Sequence, residues 1–242
     1  MTPSTSQNSS TKVEYKCQAC QDKGFALLDD RTARVCACQE QARIERLFKS
    51  SRITPAFQDK TFASFETDKC NPMVRKMRDV AKSYSDQFKE IDRENNWLVF
   101  LGQPGSGKSH LTLAVANELI RQSIPVLYFQ HVEGFKEMVG MIRRNEDIQP
   151  KIEEMKTVAV LLWDDFWKPV RDKRNPSAFE IETSFEIINY RYLNLLPTII
   201  NSERTPKELV TIDEATGSRI IERGKGRLVV VEGIENNWRL KS

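Results

Sequence analysis

Residues 102–109 read Gly102-Gln103-Pro104-Gly105-Ser106-Gly107-Lys108-Ser109, the pattern G-x-x-x-x-G-K-S. That spacing suits the wrapping of a phosphate, because glycines let backbone N–H groups converge on an anion with no Cβ in the way. Lys108 supplies a point charge for the β- and γ-phosphates, and Ser109 offers a hydroxyl to Mg²⁺. All eight residues are expected to line a nucleotide site, with ATP as the ligand. Residues 96–101 form an apolar run of strand length, and residues 111–120 have helical spacing. Strand before and helix after argue against a chance glycine-rich turn. The helix would direct the positive end of its dipole at the anion.

A second constellation lies downstream. Residues 158–163, Val-Ala-Val-Leu-Leu-Trp, are almost continuously apolar and end in Asp164-Asp165. Such a run suits a strand buried on both faces of a parallel sheet. In P-loop proteins the acid after that strand serves the Mg²⁺ shell, and the next one polarises the attacking water. Asp164 is assigned the first role, with Ser109, and Asp165 the second. Aspartate reaches less far than the glutamate common at that place, so slow ATP hydrolysis is expected. The stretch Asn201-Ser202-Glu203 ends another short strand, 197–200. One of these three side chains would reach the γ-phosphate from the neighbouring strand.

Cys17, Cys20, Cys36 and Cys38 form the third constellation, C-x2-C-x15-C-x-C. Two close pairs of thiolates can meet at one tetrahedral Zn²⁺. Reduced, unliganded cysteines are the alternative. Cys70 stands alone and reads as a small apolar residue.

These sites need elements to hold them. Phe25 to Leu28 and Ala33 to Val35 suit two strands of a hairpin between the cysteine pairs. Residues 39–50 put Ile44, Leu47 and Phe48 on one helical face, with Arg43, Arg46 and Lys49 along another. That basic side would meet DNA phosphates or an acidic partner, or simply face water. Residues 50–55 read as a linker. A long helix begins at Asn71-Pro72, with Val74, Met77, Ala81, Tyr84, Phe88 and Ile91 inward. Residues 125–130 are a strand. Residues 132–143 are a helix with Phe135, Met138, Met141 and Ile142 inward, opened by a structural His131, and 144–156 lie at the surface. The segment 167–176 reads as a loop at the carboxyl end of the sheet, where bases would stack on Trp167 while Lys168, Arg171, Lys173 and Arg174 meet phosphates. Residues 178–195 form an amphipathic helix on Phe179, Phe185, Ile188 and Leu193. A short helix at 217–223 and a strand at 227–232 follow. Arg219 is a candidate to complete a neighbouring subunit's site in trans, the alternative being a surface ion pair.

The chain as a whole is α/β: a parallel-sheet P-loop ATPase domain over 53–242, a zinc-binding module with its helix over 14–52, and a disordered polar tail over 1–13. Its 242 residues suffice for one large domain and one small one. Residues 1–95 hold 17 Lys/Arg against 14 Asp/Glu, and residues 96–242 hold 20 against 20, so the net +3 sits in the N-terminal part. That excess is too small to establish a nucleic-acid partner. No run of 18 apolar residues marks a membrane span, and the polar N-terminus lacks the apolar core of a secretory signal. A cytoplasmic protein is expected, in which five cysteines argue for metal or free thiols over disulfides.

Together these residues resemble the DnaC/DnaI-type bacterial helicase loaders, AAA+ ATPases related to the IstB-like transposition ATPases. The shared elements are the cysteine knuckle, Thr61-Phe-x-x-Phe65, the P-loop followed by His110, the apolar strand ending Asp-Asp, the Pro-Thr-Ile-Ile-x-Ser stretch and residues 212–220, I-D-E-x-x-G-S-R-I. The last string is the most specific. The resemblance makes Arg219 the arginine finger and Arg239 the sensor-2 arginine. The usual asparagine of the polar sensor is replaced by Glu203, with Asn201 two residues earlier. The function implied is ATP-dependent loading of a DnaB-type replicative helicase hexamer onto single-stranded DNA at replication initiation. The N-terminal module would grip the helicase, and the ATPase domains would self-associate through their ATP sites. Three rivals stand beside this: an IstB-like regulator of DNA transposition, a small-molecule P-loop kinase, and a zinc adaptor with a purely structural nucleotide site.

Overall fold

The computed structural model describes residues 15–27, 32–66, 71–169 and 175–240. The expectations for the N-terminal tail, Cys70, Arg171, Lys173 and Arg174 lie outside them. The chain divides into two compact units between Glu45 and Arg46. The division falls inside helix α1 (Ala37–Ser50), whose last residues group with the second unit.

The first unit contains the expected hairpin, β1 (Phe25–Leu27) paired antiparallel with β2 (Ala33–Val35). Among its described residues Cys20 is the one buried apolar side chain, so a cross-link at the cysteines would stand in for a core.

In the second unit, residues 50–55 are not a free linker. Ser51 and Ile53 are buried, and the Ser51 carbonyl accepts a hydrogen bond from Tyr128 N–H at 2.8 Å. The segment thus covers the backbone of an edge strand, β4 (Val126–Gln130). Helix α2 (Pro55–Gln58) follows, and α3 (Pro72–Asp86) begins at an Asn71 cap whose side chain accepts from Met73 N–H. Val74, Met77, Ala81 and Tyr84 are buried as the period requires, but α3 ends before Phe88 and Ile91.

The sheet has five parallel strands in the order β4–β5–β6–β3–β7, with β3 (Leu98–Gly102), β5 (Val160–Asp164), β6 (Thr198–Ser202) and β7 (Leu228–Val231). All five positions of β3, β5 and β6 are buried, which is why their sequences show no alternation. Helix α4 (Lys108–Arg121) follows β3, and α5 (His131–Arg143) follows β4. Phe135 and Met138 enter the core, whereas Met141 is only half-buried and Ile142 is exposed. Helix α6 (Gln149–Thr157) is more than surface, since Ile152 and Met155 are buried.

Helix α7 (Ala178–Leu193) opens with a capping box of Ser177 and Glu180. It buries Ile187 and Ile188 and leaves Leu193 exposed. Helices α8 (Pro206–Ile212) and α9 (Glu214–Arg223) precede β7. Arg191 of α7 is fully buried. It donates to Thr198 Oγ1 and to the carbonyls of Met155, Lys156, Val158 and Pro197, joining the end of α6 to the entries of β5 and β6.

Candidate nucleotide site

The P-loop leaves the carboxyl end of β3 and enters α4. Gly102 has φ of +100°, and a Cβ there would lie 2.2 Å from the carbonyl oxygen of Val231 on β7. Gly107 caps α4 at φ +91°, and a Cβ there would lie 2.6 Å from the Phe65 ring. Any other residue at either place would be strained and would collide. Lys108 is buried, with its ammonium donating to the carbonyls of Gly102 at 2.9 Å and Gln103 at 2.6 Å. Burial pushes its pKa down to about 8, against the pull of Glu203 and Asp165.

Asp164 ends β5, separated from β3 by β6. Its Oδ2 accepts from Tyr128 Oη at 2.9 Å, while its buried Oδ1 has no hydrogen-bond partner. Burial and the charge of Asp165 push the Asp164 carboxyl up, and the nearby Ser109, Asn201 and Tyr128 groups oppose them. A buried carboxylate oxygen without a donor, beside the P-loop serine, fits a divalent cation.

Of the three candidate sensor residues, Asn201 meets the acid pair. Its Oδ1 accepts from Asp165 N–H at 3.0 Å, and its Nδ2 donates to Thr112 Oγ1 of α4 at 2.8 Å. Ser202 is turned to the Phe166 carbonyl. Glu203 faces the cleft and pairs with Lys168 at 3.2 Å.

A cleft of about 440 Å³ joins these parts. Pro104 to His110, Asp164, Asp165, Lys168, Glu203 and Arg239 give it a polar end suited to phosphates. Phe57, Phe65, Val74, Leu113 and Trp238 give it an apolar wall suited to a nucleobase. Several of these were not anticipated. Phe65 packs edge-on to His110, whose Nε2 lies 2.8 Å from the Thr61 carbonyl. Asn117 Nδ2 donates to the carbonyls of Phe57, Gln58 and Lys60. At the other side, Trp238 N–H donates to the Gly105 carbonyl, seating residues 238–240 on the P-loop. The histidine after G-K-S and the Thr-Phe-x-x-Phe run were the available signals for the first of these contacts.

Two expectations are corrected. Trp167 is not a stacking platform: it is fully buried, its Nε1 donating to Ser184 Oγ at 3.2 Å. Lys168 is turned into the nucleotide cleft and pairs with Asp165 and Glu203, so it is not free for nucleic-acid phosphate in this state. Arg219 lies away from its own cleft. Its Nη1 donates to the Ala215 carbonyl at 2.7 Å, and its guanidinium lies over the rings of Phe185 and Tyr192.

In the N-terminal unit the sulfur atoms of Cys17, Cys20, Cys36 and Cys38 all lie within 4.8 Å of one another. Cys17 and Cys36 are 3.7 Å apart, and Cys20 and Cys38 are 3.5 Å apart. A tetrahedron with metal–sulfur bonds of about 2.3 Å has edges of about 3.8 Å, so the four donors fit zinc.

A P-loop at the end of an interior parallel strand, an acid pair two strands away and an asparagine on the strand between define an AAA+ ATPase. Residues 57–225 match the bacterial DnaA ATPase domain. The chain belongs to that family. It is 37% identical to phage-like element PBSX protein XkdC of Bacillus subtilis over 94% of this chain and 87% of that one. It is 22% identical to the replicative helicase loader DnaC of Escherichia coli K12 over 75% of this chain and 69% of that one. The crystal structure of DnaI superposes with a TM-score of 0.58 at 21% identity, covering 75% of this chain and 94% of that one. The protein is thus an ATPase related to the DnaC/DnaI helicase loaders and to DnaA. Among the described residues no helix is long and apolar enough to cross a membrane.

Proposed function

We propose that this protein loads a DnaB-type replicative helicase hexamer onto single-stranded DNA in an ATP-dependent manner. The observation that carries this reading is the pairing of a DnaA-family ATP cleft with a separate four-cysteine unit in a chain similar to DnaC. The IstB-like reading, ATP-dependent control of DNA transposition, shares the cleft but gives the cysteine unit no task. The similarity to a phage-element protein supports a role in a mobile element's replication as well as in a host chromosome's.

In this reading the eight residues from Gly102 to Ser109 hold the triphosphate, with Arg239 across the cleft. Ser109 and Asp164 would hold Mg²⁺, which offsets phosphate charge when bound. Asp165 orients the attacking water and Asn201 fixes Asp165 through its backbone. Arg219, outside its own cleft, serves the next subunit's γ-phosphate, so ATP ties assembly to nucleotide state. Cys17, Cys20, Cys36 and Cys38 hold a structural zinc that shapes the helicase-gripping module, residues 14–52. The protein works in the cytoplasm.

The test is size-exclusion chromatography with a DnaB-type hexamer, zinc-loaded and zinc-stripped. Stable co-elution that needs zinc is expected. Co-elution with a transposase and none with the helicase would overturn the reading.

A further inference from the structure

Asp165 and Trp167 both have positive φ, 54° and 49°, although neither is glycine. Two such residues in one short turn cost conformational energy that the surroundings must supply. Here the anchors are explicit. Phe166 and Trp167 are fully buried. Phe166 N–H donates to the Asn201 carbonyl, Ser202 Oγ to the Phe166 carbonyl, and Arg204 Nε to the Trp167 carbonyl. The turn closes with Lys168 N–H donating to the Asp165 carbonyl at 3.0 Å. Its outcome is the position of one side chain: Lys168 is brought back over the cleft beside Asp165.

The Lys168 ammonium lies 2.9 Å from Asp165 Oδ2 and 3.2 Å from Glu203 Oε1. It lines the same cleft as Lys108 and Asp164. Burial opposes its charge, but the two carboxylates outweigh burial and hold its pKa above the ordinary lysine value. Three acids, Asp164, Asp165 and Glu203, line that cleft, and Lys168 adds to Lys108 a second positive charge among them.

The geometry points to Lys168 as a γ-phosphate sensor held in reserve: without nucleotide it is clamped between Asp165 and Glu203, and the terminal phosphate of ATP draws it off, freeing the Asp165 carboxylate. ADP lacks the group that competes for the ammonium, so it leaves the clamp closed. The device makes Lys168 discriminate triphosphate from diphosphate within one subunit, independently of any neighbour's arginine. It rests on the ATPase reading of the cleft and not on the identity of the loaded partner.

The experiment measures ATP and ADP affinities by fluorescent-nucleotide displacement, with magnesium, for the full chain and two variants. Lys168→Met should weaken ATP at least tenfold while leaving ADP within twofold. Glu203→Gln, which loosens the clamp without touching the lysine, should raise the ATP-to-ADP preference. Equal effects of Lys168→Met on both nucleotides, or an unchanged preference in both variants, would overturn the sensor while leaving the ATP site standing. A wild-type protein that binds neither nucleotide would overturn both.

Discussion

Lys108 is 6% exposed, and its ammonium donates to two P-loop carbonyls with no ion pair among the described residues. That environment explains a pKa near 8, and the shift has a consequence for binding. Below that value the group is charged both free and nucleotide-bound. As pH rises through it, the free protein loses the proton, and binding a polyanion must restore it. ATP affinity should therefore fall about tenfold between pH 7 and pH 9. Isothermal titration across that range checks it, and a flat profile would contradict the role given to Lys108. Asn201 makes a second residue-scale case. Replacing it with alanine leaves the Asp165 N–H without its acceptor, so Asn201→Ala should cost about 1–3 kcal/mol in stability and about tenfold or more in ATP turnover. Thermal unfolding and phosphate release measure the two effects. Unchanged turnover would remove Asn201 from the acid pair's support.

At the scale of elements, Arg191 carries the junction of α6, α7 and two strand entries. Its burial pushes the pKa down, yet guanidinium remains charged in proteins. Arg191→Met would take this donor from the carbonyls of Met155, Lys156 and Val158 at a fully buried place, while Pro197 would keep Leu161 N–H. A loss of about 3–5 kcal/mol is expected from chemical denaturation; a loss under about 1 kcal/mol would contradict the structural role. The elements themselves were largely legible. Apolar runs without alternation gave the buried strands, and the G-x-x-x-x-G-K-S string placed β3 and α4 around a phosphate. Ile142 and Leu193 were misread because each helix buries fewer turns than its apolar residues suggest. Trp167 and Lys168 were misread together: a charged, proline-flanked stretch looks like an open loop. Only the tertiary contacts of Trp167 with Ser184 and Arg204 reveal a tethered turn. Residues 50–55 looked like a linker because nothing local announces that Ser51 will meet the edge of β4.

At the scale of the molecule, the cysteine spacing and the G-x-x-x-x-G-K-S string are each legible in the sequence on their own. The sequence could not show how residues 57–66 and 236–239, far apart in the chain, close on one cleft. If zinc shapes the first unit, replacing Cys17 and Cys20 with serine should abolish stoichiometric zinc in metal analysis while ATP affinity stays within about threefold, since the two units are separately compact. Loss of ATP binding in that variant would contradict their independence. The most direct test of the account is ATP titration, with magnesium, of the wild-type protein and of Lys108→Ala. Saturable binding by the wild type at or below millimolar ATP is expected, with loss of that binding in a variant that still folds. A wild type that retains no nucleotide, or a variant that binds as well as the wild type, would contradict it.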